Sequence, residues 1–166
     1  GIVIPKSGIY GVAIILVKDS NSGYGSILRL GICPKNSVAM PMVSAGSAHV
    51  VALKANGTVW TWGYNYHGQL GNGTKANSSL PVKVKIGDGS VDLTGVVSIA
   101  AGYYNSFAVR KDGTVWSWGY NNYGSLGLGD GTNRTTAQQV LGGASGSQYL
   151  TDIVEVKRIE KAINKT

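Results

Sequence analysis

Nucleophilic or metal-assisted chemistry in this 166-residue chain would have to start from one cysteine, Cys33, and two histidines, His49 and His67. The two histidines form no His-x-x-x-His pair or comparable ligand spacing. A Cys33 thiolate activated by one of the imidazoles is a nucleophile–base pairing this inventory permits, but burial as a small apolar residue explains Cys33 equally well. Gly127-Leu-Gly-Asp-Gly-Thr132 has the glycine density of a phosphate loop, yet it lacks the Lys-Ser/Thr ending and no helix is signalled after it. Gly87-Asp-Gly-Ser90 offers one carboxylate where calcium takes roughly six to eight oxygens. Both stretches read as turns. The chain is therefore read as a non-enzyme, with no catalytic residue, no cofactor site and no metal site.

Contact chemistry is better represented. Tyr64-Asn65-Tyr66-His67, Tyr103-Tyr104-Asn105 and Tyr120-Asn121-Asn122-Tyr123 place aromatic rings and amides on predicted loops. Tyrosine brings large contact area at low entropic cost and asparagine adaptable hydrogen bonding, a mixture suited to protein or glycan surfaces. These eleven residues are the candidate partner-contact set.

The elements that position them follow from composition. With 25 Gly, 9 Tyr, 4 Trp and only 14% charged residues, the chain reads as many short strands joined by glycine turns. A single cysteine leaves no disulfide framework within one chain. The net charge of +7 is spread along the sequence, so a nucleic-acid partner, which calls for a concentrated basic face, is not expected. The longest nearly apolar run, Ile9 to Val17, has nine residues against the ~20 of a membrane helix, so no span is expected. Lys18-Asp-Ser-Asn-Ser-Gly follows it where a signal peptide would carry a cleavage site, and a buried strand is the better reading. A first residue of Gly rather than Met points to a processed, excised or tagged product.

A shift of 56 residues brings Gly46-Ser-Ala-His-Val-Val-Ala-Leu-Lys-Ala-Asn-Gly-Thr-Val-Trp-Thr-Trp-Gly-Tyr-Asn65 onto Gly102-Tyr-Tyr-Asn-Ser-Phe-Ala-Val-Arg-Lys-Asp-Gly-Thr-Val-Trp-Ser-Trp-Gly-Tyr-Asn121. Gly68-Gln-Leu-Gly71 and Gly124-Ser-Leu-Gly127 continue the match, and Leu93-Thr-Gly-Val-Val97 returns as Leu150-Thr-Asp-Ile-Val154. Each unit reads as a β-hairpin. Val50 to Leu53 and Thr58 to Trp62 are short strands, and Asn56-Gly57, like Asp112-Gly113, favours a type I′ turn between them. Period-2 alternation puts Trp60 and Trp62 on one face, with Val59 and Thr61 on the other. Gly46, Trp60, Trp62, Gly63 and their counterparts Gly102, Trp116, Trp118 and Gly119 are the anchors of the repeat.

The pattern Gly-x-x-His-x-x-Ala-Leu-x-x-(Asn/Asp)-Gly-Thr-Val-Trp-x-Trp-Gly resembles the repeat of the regulator of chromosome condensation family over about residues 40–155. The resemblance implies blades of a β-propeller of roughly seven units, and it leaves the activity open, because that repeat serves unrelated functions. The pattern's His is present as His49 and is replaced by Asn105 in the second copy.

The expected fold is all-β. A β-segment without repeat signature spans 1–37, blades span 38–92 and 93–149, and a third unit starts at 150–166 and runs into a short helical or frayed tail. Two blades leave strand edges and apolar faces uncovered, so other chains or further sequence must complete the propeller. From low charge and abundant Gly, Asn, Ser, Thr and Tyr we expect an extracellular or cell-surface structural or adhesive protein that self-associates through open strand edges. The alternative is part of a larger propeller serving as a protein-binding scaffold or a regulator resembling GTPase exchange factors.

Overall fold

Asn56 and Asp112 close their hairpins differently from the expected type I′ turn. Gly57 and Gly113 take positive φ of 77° and 80°, but the residues before them do not. Instead Asn56 Oδ1 accepts from Thr58 N (3.2 Å) and Thr58 Oγ1 (2.7 Å), and Asp112 Oδ1 accepts from Thr114 N (3.1 Å) and Thr114 Oγ1 (2.6 Å). Each side chain thus holds the chain on the far side of the turn, and only glycine has to enter the left-handed region.

The structure, a computed structural model, describes residues 10–17, 26–34, 38–143 and 148–153. Every helix or strand assigned among these residues is a strand, so the fold is all-β. An antiparallel hairpin pairs β1 (Tyr10–Val17) with β2 (Ser26–Pro34), with a register shift between Ile15 and Leu16. The tail expected beyond Ile153 lies outside the described residues.

The first blade is a four-stranded antiparallel sheet in chain order: β3 (Met42–Ala45), β4 (His49–Leu53), β5 (Val59–Gly63) and β6 (Ser78–Lys83). Two very short strands follow, β7 (Lys85–Ile86) and β8 (Val91–Asp92). The second blade repeats the plan with β9 (Val96–Ala101), β10 (Asn105–Arg110), β11 (Val115–Gly119) and β12 (Arg134–Gln139). Residues 85–92, grouped with the first repeat in sequence, hydrogen-bond with the second sheet, β7 pairing in parallel with β12 at Ile86 and Ala137. The linker between blades has already crossed to its neighbour.

Alternation decides how the blades meet. In β4 and β5 the inward residues are His49, Val51, Leu53, Val59 and Thr61, while Val50, Ala52, Trp60 and Trp62 stay partly exposed on the other face. In the second blade the tryptophan face is the covered one: Trp118 is fully buried and packs with Ile99, Ala101, Ala108 and Ala137 against Val51, Leu53, Val59 and Val84 of the first. Each blade therefore offers a valine-rich face to the tryptophan face of the next.

The junction also has backbone contacts, and they recur. Val96 N donates to the Gly57 carbonyl (3.1 Å) and Leu93 N to Val84 (2.8 Å); one repeat later Ile153 N donates to Gly113 (3.2 Å) and Leu150 N to Val140 (2.9 Å). Leu150 and Ile153 pack on Val109, Val115 and Val140, as the start of a third unit should. Asp152, with φ of 64°, occupies the left-handed position that Gly95 fills in the preceding unit.

Candidate functional site

The loops after β5 and β11 carry most of the candidate contact residues, and buried asparagines give both loops their shape. Asn65 Nδ2 donates to the carbonyls of Thr74 (3.0 Å) and Ala76 (2.9 Å), its Oδ1 accepts from Leu70 N (2.9 Å), and its backbone N–H donates to Asn77 Oδ1 (2.8 Å). Asn121 makes the same set with Asp130 O (2.9 Å), Thr132 O (3.1 Å), Leu126 N (2.8 Å) and Asn133 Oδ1 (2.7 Å). Both asparagines are inaccessible to solvent, so neither is available to a partner. Replacing Asn65 or Asn121 with Ala leaves several buried groups unpaired, and we expect a loss of about 2–3 kcal/mol in urea unfolding. A loss below about 0.5 kcal/mol would show that the loops close without them.

The tyrosines come together above these anchors. Ring centroids are 6.4 Å apart for Tyr64 and Tyr66, 5.1 Å for Tyr66 and His67, 5.1 Å for His67 and Tyr104, 4.8 Å for His67 and Tyr120, 4.5 Å for Tyr103 and Tyr104, and 6.2 Å for Tyr120 and Tyr123. One continuous patch of seven rings thus bridges both repeats. Its outermost members, Tyr66, Tyr103 and Tyr123, are 65%, 64% and 89% exposed. Asn122 is exposed on the same loop, whereas Asn105 is half-buried and donates from Nδ2 to Ser125 Oγ (3.2 Å). Desolvation, with Tyr103 and Tyr64 beside it, holds the Tyr104 phenol above its ordinary pKa, so it stays neutral at physiological pH.

A Cβ on Gly46 would clash with the His49 ring, and one on Gly102 with Asn105 Oδ1. Trp60 and Trp116 are half-buried under Lys54 and Lys83 and under Arg110 respectively. His49 lies inside the junction. Ser106 Oγ donates to the Gln69 carbonyl (3.1 Å), so His49 Nε2 donates to Ser106 Oγ (2.9 Å), and His49 Nδ1 is buried without a partner among the described residues. Among the described residues no three His, Cys, Asp or Glu side chains converge as metal ligands would.

Sequence reasoning missed the Gln69 carbonyl, which accepts from both Trp118 Nε1 (2.9 Å) and Ser106, and missed Asn77 and Asn133 as loop anchors. A signal for the asparagines was available: the 56-residue shift superposes them.

The family model for the regulator of chromosome condensation (RCC1) repeat matches residues 56–109 and 112–153, more than half of the chain. The chain belongs to the RCC1 repeat family. Among curated RCC1-type relatives, the ultraviolet-B receptor UVR8 of Arabidopsis thaliana is 34% identical over 130 residues, covering 71% of this chain and 29% of the receptor. The probable E3 ubiquitin-protein ligase HERC3 of Homo sapiens is 41% identical over 100 residues, covering 60% of this chain and 9% of the ligase. The chain thus spans less than a third of either relative. A crystal structure of human WBSCR16 superposes with a TM-score of 0.52 at 23% identity, over 75% of this chain and 31% of that one, a likeness of fold. Together with the two sheets, the match identifies RCC1-type propeller blades in an incomplete array. It also overturns the expectation of an extracellular adhesive or filament-forming subunit, because the relatives that share the repeat are named as an ultraviolet-B receptor and a ubiquitin-protein ligase. Glycine-rich, low-charge composition, which had carried that expectation, is what glycine-turned blades require in any compartment.

Proposed function

We propose that this chain supplies blades of an RCC1-type propeller that works as a non-catalytic protein-binding scaffold, with the tyrosine-rich loops as its partner contact. The observation that carries the reading is the patch itself, an exposed run of rings fed by loops of both repeats and held in place by the buried Asn65 and Asn121. Aromatic side chains on rigid loops are the anchors that protein interfaces favour. Relatives named as a receptor and as ligases support a protein partner over the glycan that tyrosine and amide groups could also accommodate.

Photo-crosslinking in cells tests it. With p-benzoylphenylalanine at Tyr66, Tyr103 or Tyr123, we expect the same protein, identified by mass spectrometry, at all three positions. With the probe at Lys54 or Lys111, on turns at the opposite ends of the strands, we expect none. Equal adducts at both ends, or no adduct at the tyrosines, would remove the patch as the contact. Faster nucleotide release from a GTPase recovered in this way would assign the scaffold to exchange regulation.

A further inference from the structure

We infer that the tyrosine patch selects a cationic segment of its protein partner, one bearing arginine or lysine, through the faces of its rings. The inference rests on the patch being the partner contact and adds the chemistry of the partner. Aromatic faces carry negative quadrupole potential and attract a guanidinium or ammonium group within about 6 Å. This chain already uses that attraction. Lys54 and Lys83 lie 5.5 and 5.8 Å from the Trp60 ring, and Arg110 lies 5.9 Å from Trp116. Among the described residues, no such contact involves a tyrosine.

The local charges sharpen the contrast. Arg134, which opens β12 next to Asn133 at His67, is held by Asp130 Oδ2 (2.6 Å) and by the Thr132 carbonyl (2.7 Å). Lys83 is paired with Asp92 at 2.6 Å. Lys54 and Lys111 belong to the turns at the far ends of the strands. The patch thus presents six tyrosine rings and the amides of Asn122 and Asn105, and no lysine or arginine among the described residues stacks on those rings. A purely apolar partner would leave the phenol and amide groups unpaired.

The test uses labelled protein and three peptides: Ac-Gly-Arg-Gly-Arg-Gly-amide and its Gln and Glu counterparts. By nuclear magnetic resonance we expect the arginine peptide to shift Tyr66, Tyr103 and Tyr123, and the glutamine peptide to bind at least about fivefold more weakly. A Tyr66→Phe, Tyr103→Phe, Tyr123→Phe variant keeps the faces and retains binding. The corresponding Leu variant loses it, with an unchanged unfolding midpoint to show that the blades are intact. Because the chain carries net charge +7, raising the salt screens long-range repulsion, so the affinity holds or rises between about 50 and 200 mM salt. Equal binding of the glutamine peptide, preference for glutamate, or retention by the Leu variant would overturn the inference. If crosslinks form at the tyrosines but the captured partner still binds with its arginines and lysines replaced, the contact surface stands and its cation preference falls.

Discussion

Trp118→Ala is expected to lower the unfolding free energy by about 3–5 kcal/mol, while Trp62→Ala, the same residue one repeat earlier, costs less than about 1.5 kcal/mol. The two tryptophans share residue type, strand position and hairpin. They differ in what covers them. Trp118 is fully buried, donates its indole N–H to the Gln69 carbonyl at 2.9 Å, and packs so tightly on Gly71 that a Cβ there would come within 2.8 Å of the ring. Removing it leaves a cavity in the inter-blade core and takes one of two donors from the Gln69 carbonyl, which keeps Ser106 Oγ. Trp62 stays partly exposed beside Ala52, Trp60 and Pro81, so its truncation opens no enclosed cavity between blades. Denaturant unfolding of the two variants measures the difference directly. Equal losses would mean that the Trp62 face is already packed, and in a longer chain with a preceding blade the two values should converge.

Acid should loosen the same junction well before carboxylates protonate. Burial pushes the His49 pKa down from 6.5 to about 4. As pH falls below 6.5, the unfolded chain takes up a proton that the folded chain refuses, so stability is complete above about pH 7 and declines between pH 6.5 and 4. The span of that shift corresponds to a loss of up to about 3 kcal/mol. Hydrogen bonds to neighbouring residues lower the pKa values of Asp88, Asp92, Asp112 and Asp130, so their contributions are present above the ordinary carboxylate pKa and are lost below it, at more acidic pH than the histidine window. His49→Asn, which copies the residue of the second repeat, should flatten stability between pH 4 and 6.5. An unchanged slope in that variant would acquit His49.

The repeat made the blades legible. Strand pairs, turn glycines and the alternation of Val59 and Thr61 with Trp60 and Trp62 follow from side-chain period and φ requirements, which act over a few residues. What the alternation does not reveal is which face a neighbour will cover, and so Trp62 and Trp118 look alike in sequence. Asn65 and Asn121 read as surface amides because their partners lie 5 to 12 residues downstream, on chain segments whose return path is a tertiary property. At Asn56 the type I′ expectation fails because the carboxamide holds Thr58 and only Gly57 has to enter the left-handed region. Composition was the least informative guide to compartment, since the same glycine and hydroxyl residues build turns everywhere.

Val96 on Gly57 and Ile153 on Gly113 tie the segment that enters each unit to the hairpin turn of the blade before it. Such a chain can gain or lose length in whole repeats without disturbing any other junction. A tandem copy of residues 93–149 would meet its neighbours with contacts already present, whereas an insertion of part of a repeat would leave one incoming amide with no turn carbonyl to receive it.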